Sequence, residues 1–302
     1  MSAFPEFHKY DGLGLGDLVR KKEVSAAELV EAERTSQASA LVQEFIKDLP
    51  IDRRDYLTFT LLAPGVADSS SLADNSDFRV TQVPTSGLSF YGSNGRGNSV
   101  TVDGSETNDS GGGVRANLGQ EAVEEFDVNR ASYSAELGGS SGGVINIITR
   151  KPADTPITGT VSGAGGNLGF YTGHAEASGR EDFFSYYASG DRQEWDGWRD
   201  SSAYRGWSAM AKPSFDTPVG QFTAGYYFHE ETVENPGALT AAQYNADPRG
   251  ASPNKFTFDN TIHRGTLDYS RCFSSGWVVL GKIYGQEFNT ESTSGFGTGR
   301  IE

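Results

Sequence analysis

The chain is nearly free of cysteine, since Cys272 is the only one among 302 residues. An internal disulfide and a cysteine-cluster metal site are therefore excluded. Long apolar runs are missing as well: no window approaches the ~20 predominantly apolar residues of a membrane-spanning helix, and the mean hydropathy is −0.47. These absences exclude a helical membrane protein. They do not exclude a membrane β-barrel, because its lipid-facing residues alternate with polar ones and leave the average hydropathy low.

Basic residues are scarce relative to acidic ones. Lys and Arg total 25 against 40 Asp and Glu, so the net charge is −15. Nucleic acid is therefore not an expected partner, since phosphate binding needs concentrated Lys and Arg. The four histidines are isolated, with no pair at ligand spacing. The sequence accordingly predicts no metal site and no bound cofactor.

The start of the chain has a different pattern from the rest. Residues 12–33 carry a helical period, and Ser25 followed by Glu28 forms a capping-box pattern that predicts a second helix. This part lacks the apolar core and the small-residue cleavage site of a secretory signal, so no signal peptide is expected. The pattern predicts a short helical segment over 1–34 and a connector over 35–47.

From Asp48 onward, Gly, Ser, Asn and Asp punctuate short runs of β-branched and aromatic residues. This pattern predicts strands rather than helices. One predicted strand is Ser99–Val102, closed by the turn signal Asp103-Gly104. Another is Val144–Thr149, which is apolar on both faces and is therefore expected to be buried.

Beyond Pro152 the predicted strands are about ten residues long and alternate in polarity. Short connections between them alternate with longer loops at 191–204 and 232–260, and aromatic residues stand at strand ends. This combination is typical of an outer-membrane barrel. A soluble antiparallel sheet also alternates, so alternation alone leaves both classes open. One of the predicted apolar faces consists of Phe222, Ala224, Tyr226 and Phe228.

Three segments resemble the plug domain of TonB-dependent outer-membrane receptors. The sequence SVTVDGSETND at 99–109 resembles the plug strand that ends in a Val-Asp-Gly turn. The sequence AVEEFDVNRASYSAELGGSSGGVINIITRKP at 122–152 resembles the closing plug motif, which leads into the barrel. The sequence LPIDRRDYLTFTLLAPGV at 49–66 is similar to the variant found in Oar-like receptors. The resemblance extends more weakly over the residues that follow the plug.

The resemblance implies a mainly β fold, with a small α/β plug domain over 48–152 and an incomplete antiparallel outer-membrane β-barrel over 153–302. It further implies an outer-membrane location, contact with outer-membrane lipid, and a TonB complex as partner if the receptor is intact. The ligand taken up is an unknown small molecule, oligosaccharide or peptide. Plug-motif residues with an expected structural role are Asp103, Gly104, Glu125, Gly142, Gly143, Asn146 and Thr149. Residues expected to contact ligand are Arg96, Asn98, Asn108, Arg115, His174 and His229.

The number of predicted strands limits what the chain is expected to do. Plugged outer-membrane transporters have ~22 strands, whereas about seven are predicted here. An open sheet edge in lipid leaves unpaired backbone groups that each cost several kcal/mol. The sequence therefore predicts a receptor fragment that does not transport on its own.

A second resemblance keeps an alternative open. The sequence YDGLGLGDLVRKKEVSAAELVEAE at 10–33 resembles the N-terminal helices of amidase-signature enzymes, and GGSSGG at 138–143 is similar to that family's glycine-serine motif. However, no lysine lies between Asp48 and Lys151, and no nucleophile segment follows. Because acyl transfer needs a base and a nucleophile, no catalytic residue and no enzyme activity is predicted. An amidase-related hydrolase is the alternative function, and a soluble β-rich surface binding domain is the third.

Overall fold

The computed structural model describes residues 38–42, 60–68, 88–90, 98–108, 118, 122–129, 143–274, 276–294 and 297–301. The helices predicted near the start of the chain lie outside these residues, as do the amidase-like segments 10–33 and 138–143 except for Gly143. One short α-helix, α1 (Ala241–Ala246), occurs in the described part. In chain order the strands are β1 (Ala38–Val42), β2 (Val66–Asp68), β3 (Leu88–Phe90), β4 (Ser99–Val102), β5 (Ser105–Glu106), β6 (Val123–Asn129), β7 (Val144–Thr149), β8 (Thr158–Gly165), β9 (Tyr171–Glu181), β10 (Phe184–Trp195), β11 (Tyr204–Thr217), β12 (Gly220–Asn235), β13 (Phe256–Cys272), β14 (Val278–Ser294) and β15 (Gly297–Ile301).

The predicted mainly β architecture is confirmed. A five-stranded sheet has the order β1-β6-β7-β4-β5, and β2 pairs with β3 in a separate two-stranded sheet. Strands β4 and β7 run parallel, while the other neighbours in the five-stranded sheet are antiparallel. Residues 38–42, which the sequence assigned to a connector, form β1 and pair with β6. Among the described helices, none has the length and apolar content needed to cross a membrane.

The five-stranded sheet contributes several fully buried side chains to the apolar core. Phe126 and Val128 on β6 are fully buried, as are Ile145 and Ile147 on β7. Each such side chain contributes about 1.5–3 kcal/mol on burial. Tyr187, Met210 and Tyr227 of the larger sheet belong to the same cluster of buried side chains. The five-stranded sheet, called the small sheet below, is therefore packed against one face of the larger sheet.

The larger sheet is an antiparallel meander. Its eight strands follow one another in chain order from β8 to β15, one more than the sequence predicted, and β8 and β15 form its two edges. Connections at one end are short, at 182–183 and 218–219. Those at the other end include 196–203 and 236–255, the second of which contains α1. The predicted alternation of short turns and long loops is therefore present.

The two faces of the meander differ in chemistry, as the period-two pattern predicts. On β11, Ser208, Met210 and Ser214 are buried against the inner side, whereas Trp207 and Phe215 are exposed on the outer side. On β12, Tyr227 and His229 are buried, whereas Tyr226 is 51% exposed. The inner face carries most of the polar and charged side chains. Over its middle the outer face is small, apolar and aromatic, whereas charged side chains such as Arg192 and Arg205 lie on it nearer the long loops.

Candidate functional site at the seam between the sheets

The seam between the small sheet and the meander is built around one tight turn. Strands β4 and β5 are joined by Asp103 and Gly104, which have φ of 49° and 76°. Glycine adopts this left-handed conformation freely, and Asp is one of the few other residues that tolerate it. The side chain of Asn146 on β7 secures the turn. Its Oδ1 accepts from the Gly104 amide at 3.0 Å and from the Thr101 hydroxyl at 2.7 Å.

The Asp103 carboxylate lies at the end of β7, where it meets the larger sheet. It accepts hydrogen bonds from the amide of Thr149 at 2.9 Å and from the hydroxyl of Thr149 at 2.6 Å. The ammonium of Lys212 on β11 donates to the same carboxylate at 3.1 Å and to the Thr149 hydroxyl at 2.6 Å. One inward lysine of the meander therefore contacts two side chains of the small sheet.

The environment of Asp103 favours its charged form. Burial by itself would raise the pKa of Asp103, but the charge of Lys212 and the hydrogen bonds from Thr149 outweigh it. The pKa of Asp103 consequently lies below its ordinary value. Since the Asp103 side chain is 26% exposed and that of Lys212 is 15% exposed, the pair is partly screened by solvent.

Two further cations of the meander hold the backbone of the same turn. Lys282 on β14 donates to the Asp103 carbonyl at 2.6 Å. Arg264 on β13 donates through Nη2 to the Ser105 carbonyl at 2.8 Å and through Nη1 to the Glu106 carbonyl at 3.4 Å. Three strands of the meander thus donate to the hairpin of β4 and β5 in the small sheet. We call the group formed by Asp103, Thr149, Lys212, Arg264 and Lys282 the clasp.

A second polar contact joins the sheets where the chain passes from one to the other. Arg150 follows β7 directly and pairs with Glu176 on β9. The Tyr187 hydroxyl donates to the same carboxylate at 3.0 Å. Here the small sheet supplies the cation and the meander the anion, which is the reverse of the clasp.

The predicted ligand contacts Asn98 and Asn108 are engaged inside the small sheet. The Oδ1 of Asn98 accepts from the Gly143 amide at 3.2 Å. Asn108 accepts from the Val100 amide at 2.7 Å and donates to the Asn98 carbonyl at 2.9 Å. Both side chains therefore tie strands together. Ligand contact by either residue stays a prediction.

The predicted contacts His174 and His229 lie on the inner face of the meander and are buried. His174 Nδ1 is 2.6 Å from Asp191 Oδ1, and His229 Nε2 is 3.2 Å from Glu231 Oε2. Each histidine is thus paired with a carboxylate of the meander, and its role toward a ligand stays a prediction. Among the described residues, no group of His, Cys, Asp and Glu is arranged to hold a metal ion.

The remaining plug-motif residues are placed as follows. A Cβ added to Gly143 would come within 2.5 Å of the Phe90 ring, so glycine is needed there for space. Glu125 is half-buried on β6, opposite Ile148 of β7. The positions of Arg96, Arg115 and Gly142 fall outside the described residues.

The set of site residues predicted from the sequence did not include the seam residues Arg150, Glu176, Lys212, Arg264 and Lys282. Most of these are charged residues at inward strand positions, and that pattern is the sequence signal by which they could have been found.

A small sheet packed against one face of an antiparallel meander is also found in plugged outer-membrane barrels. The pyoverdine outer-membrane receptor FpvA of Pseudomonas aeruginosa matches with a TM-score of 0.65 and 17% identity, over 87% of this chain and 38% of that one. The alcaligin receptor FauA of Bordetella pertussis matches with a TM-score of 0.64 and 14% identity, over 86% and 40%. At this identity the matches establish a shared fold.

The sequence match is to the TonB-dependent transporter Oar of Myxococcus xanthus. It is 32% identical over 146 residues, which cover 45% of this chain and 12% of that transporter. No protein-family model matches the chain. The shared fold and this match together support a TonB-dependent receptor, so the resemblance to that family is confirmed, whereas the amidase resemblance stays a prediction. The chain spans about an eighth of the curated relative.

Proposed function

We propose that the chain supplies the plug and the first barrel strands of a TonB-dependent receptor that takes up a ligand across the outer membrane. The observation that carries the proposal is the outer surface of the meander. It bears two rows of aromatic side chains with an uncharged band between them. Such girdles mark the two interfaces of a membrane-spanning barrel.

The first row lies at the short-turn end and crosses four strands. Phe184 and Phe215 have ring centroids 5.1 Å apart, and Phe222 and Tyr269 are 5.0 Å apart. Phe215 and Phe222 are direct cross-strand partners, so the row is continuous from β10 to β13.

The second row lies toward the long loops. Trp207 and Phe228 have ring centroids 4.5 Å apart, and Phe228 and His263 are 4.9 Å apart. From Trp207 to Phe215 on β11 the strand rises by about 26 Å at ~3.3 Å per residue. With a strand tilt of ~40° this gives a band about 20 Å tall, close to the ~25 Å of outer-membrane barrels. The outward residues between the rows include Ala209, Ala211, Pro213, Ala224, Tyr226, Gly265 and Leu267.

We assign to the plug the range 48–152 that the sequence suggested, together with β1 (Ala38–Val42), which pairs with β6 of the same sheet, and we assign the barrel strands to 153–302. Eight strands are about a third of a ~22-strand barrel. Because open edges are costly in lipid, the 302-residue chain by itself is proposed not to transport. The partners proposed are outer-membrane lipid, a TonB complex and a small ligand, oligosaccharide or peptide. No catalytic role is proposed, in keeping with relatives that are transporters and receptors.

The experiment that tests this proposal compares folding in lipid and in water. The chain is refolded with and without detergent micelles, followed by size exclusion and circular dichroism. We expect a monodisperse β-rich species in detergent and aggregation in plain buffer, because the outer face needs an apolar solvent. A monomeric, cooperatively folded protein in plain buffer would contradict the proposal and favour a soluble β-rich binding domain.

A further inference from the structure

Two long connections of the meander, which forms the wall of the proposed barrel, are hydrogen-bonded to each other. They are residues 196–203, between β10 and β11, and residues 236–255, between β12 and β13. We call them the first and the second long loop. Exposed loops are ordinarily the most mobile part of a fold. Here each loop is closed on itself and then bonded to the other one.

The first long loop is fixed around Arg199. The Ser202 hydroxyl accepts a hydrogen bond from the Arg199 amide at 3.1 Å and donates one to the Arg199 carbonyl at 2.5 Å. Gly197 has a φ of 78°, and a Cβ at that position would come within 2.1 Å of Ser202 Oγ. The loop is therefore tightly turned, and the backbone of Arg199 is held before its side chain makes any contact.

The second long loop is closed at its base. The Ser252 amide donates to the Pro236 carbonyl at 2.7 Å, which joins the two ends of the loop. A Cβ added to Gly237 would come within 2.8 Å of the Ser252 side chain, so these ends are also closely packed. Between them, α1 begins with a capping box formed by Thr240 and Gln243. The second loop is therefore a compact unit with its own internal bonds.

Arginines of the two loops bind each other's backbone. Arg199 donates through Nη1 to the Gly237 carbonyl at 2.9 Å, and through Nη2 and Nε to the Gly250 carbonyl at 2.8 and 3.2 Å. In the opposite direction, Arg249 donates through Nε to the Trp198 carbonyl at 3.0 Å. Because a guanidinium offers its donors in a fixed planar fork, the Arg199 contact sets the orientation of the second loop as well as its distance.

A backbone bond and a lysine complete the contact between the loops. The Asp200 amide donates to the Arg249 carbonyl at 2.7 Å, and the Lys255 ammonium donates to the Ser201 hydroxyl at 3.0 Å. The side chains that bridge the loops contact residues 38 to 54 positions away in the chain. The loops leave the wall from β11 and β12, which pair with each other. They therefore start from one platform and are bonded again beyond it.

We infer that the two long loops move as one body, latched by Arg199, and that they form a fixed rim rather than a lid. The role of this rim rests on the proposed function, in which the long loops face the outside. A fixed rim presents a preformed surface to an arriving ligand, so no cost of ordering these loops opposes binding. The exposed rings of Trp198 and Tyr244 are carried by this rim.

Hydrogen exchange in the full chain, folded in detergent and read at single residues, tests the latch. The Asp200 amide is the reporter, since it bonds from one loop to the other. In the unaltered chain we expect it to exchange at least about a hundredfold more slowly than in an unfolded peptide of the same sequence. Exchange as fast as in that peptide would mean that the loops separate freely, and it would overturn the inference.

Substitution of Arg199 tests whether this residue is the latch. We expect Arg199→Met to speed exchange of the Asp200 amide about tenfold and to leave the paired amides of β11 and β12 unchanged, because hydrogen bonds from a charged donor are lost. Arg199→Lys should behave in the same way, since it keeps the charge but lacks the planar fork. The matched control is Arg205→Met, which removes a half-exposed arginine that lies 3.6 Å from Asp196. Equal exchange in Arg199→Met and Arg205→Met would overturn the inference.

The unaltered chain decides the question if Arg199→Met does not fold, because its Asp200 amide reports the loop contact without any substitution. The same amide can be read in whichever solvent the chain folds. A chain that folds in plain buffer would contradict the receptor proposal and still give these exchange rates. The fixed rim and the proposed function can therefore fail separately.

Discussion

The ammonium of Lys212, on the inner face of the barrel wall, lies 3.1 Å from the carboxylate of Asp103 at the tip of a plug hairpin. The two residues are 109 positions apart in the chain. Asp103 also accepts two hydrogen bonds from Thr149, so one carboxylate links the end of a plug strand to the wall. The apolar packing between the two sheets is therefore supplemented by a small number of polar contacts, which substitutions can remove one at a time.

The first prediction concerns pH. The pKa of Asp103 is lowered in the fold, so its ionised form adds stability that is fully present above the unfolded pKa of ~3.9 and is lost as the pH falls through the lower folded pKa. The charged side chains facing Asp103 are Lys212 and Lys282. We expect the difference in unfolding free energy between the natural chain and Asp103→Asn to be constant from pH 8 to about pH 5 and to shrink below about pH 4. Denaturation in micelles at several pH values measures it, and a difference that grows on acidification would contradict the account.

The second prediction concerns Gly143. Because an added Cβ would meet the Phe90 ring at 2.5 Å, Gly143→Ala should cost about 1–3 kcal/mol of unfolding free energy through overpacking. Phe90→Leu should recover part of the loss, since it removes the ring. The matched control is Gly104→Ala, where the added Cβ meets open space and the loss of about 1 kcal/mol comes from the backbone alone. If Phe90→Leu helped both variants equally, overpacking would not be the cause.

The third prediction concerns the Arg150–Glu176 pair at the junction of the two sheets. Its side chains are only 16% and 8% exposed, so Glu176→Gln leaves a mostly buried guanidinium without its counter-charge. We expect a loss of about 1.5–3 kcal/mol in unfolding free energy, the usual contribution of a hydrogen bond to a charged group. The control pair Arg180–Asp216 is 40% and 36% exposed, and Asp216→Asn should cost about 0–1 kcal/mol. Equal losses at the two pairs would show that burial of Glu176 is not what matters.

The fourth prediction concerns the outer face of the wall. Ala211 is exposed there, midway between the aromatic rows on β11. Ala211→Arg should lower the stability in a bilayer by about 2–4 kcal/mol, because the charge would lie near the midplane. Thr261→Arg, on the outer face beyond the Trp207 row, should cost about 0–1 kcal/mol, since it lies near the interface. Folding titrations in lipid vesicles measure both, and equal costs would be inconsistent with the proposed band.

Much of the fold follows from short-range pattern. Strands β4 and β7 occupy the residues predicted, because the Asp103-Gly104 turn ends the first and the second is apolar on both faces. The inner and outer faces of β11 and β12 follow from the period of two. β1 was assigned to the connector, because its strand character comes from pairing with β6 rather than from its own sequence.

The clasp could not be predicted in the same way. Lys212 and Lys282 alternate with small and apolar residues along β11 and β14, so the period of two puts them on the polar face, but nothing local indicates that they converge on one turn. Arg264 contacts carbonyls that lie 158 and 159 positions earlier in the chain. Such contacts depend on how the plug sits in the meander, which is decided by the packing of the whole plug core against Tyr187, Met210 and Tyr227.

The central claim is that the outer face of the meander lies in lipid, and fluorescence quenching by brominated lipids tests it most directly. Two single-tryptophan chains are compared in vesicles, one retaining Trp207 in the outer aromatic row and one retaining Trp198 in the loop 196–203, with the other tryptophans changed to Phe. Both tryptophans are similarly exposed, at 41% and 48%, so exposure alone does not distinguish them. The account predicts strong quenching of Trp207 and little quenching of Trp198. Equal quenching of the two, or none of Trp207, would contradict it.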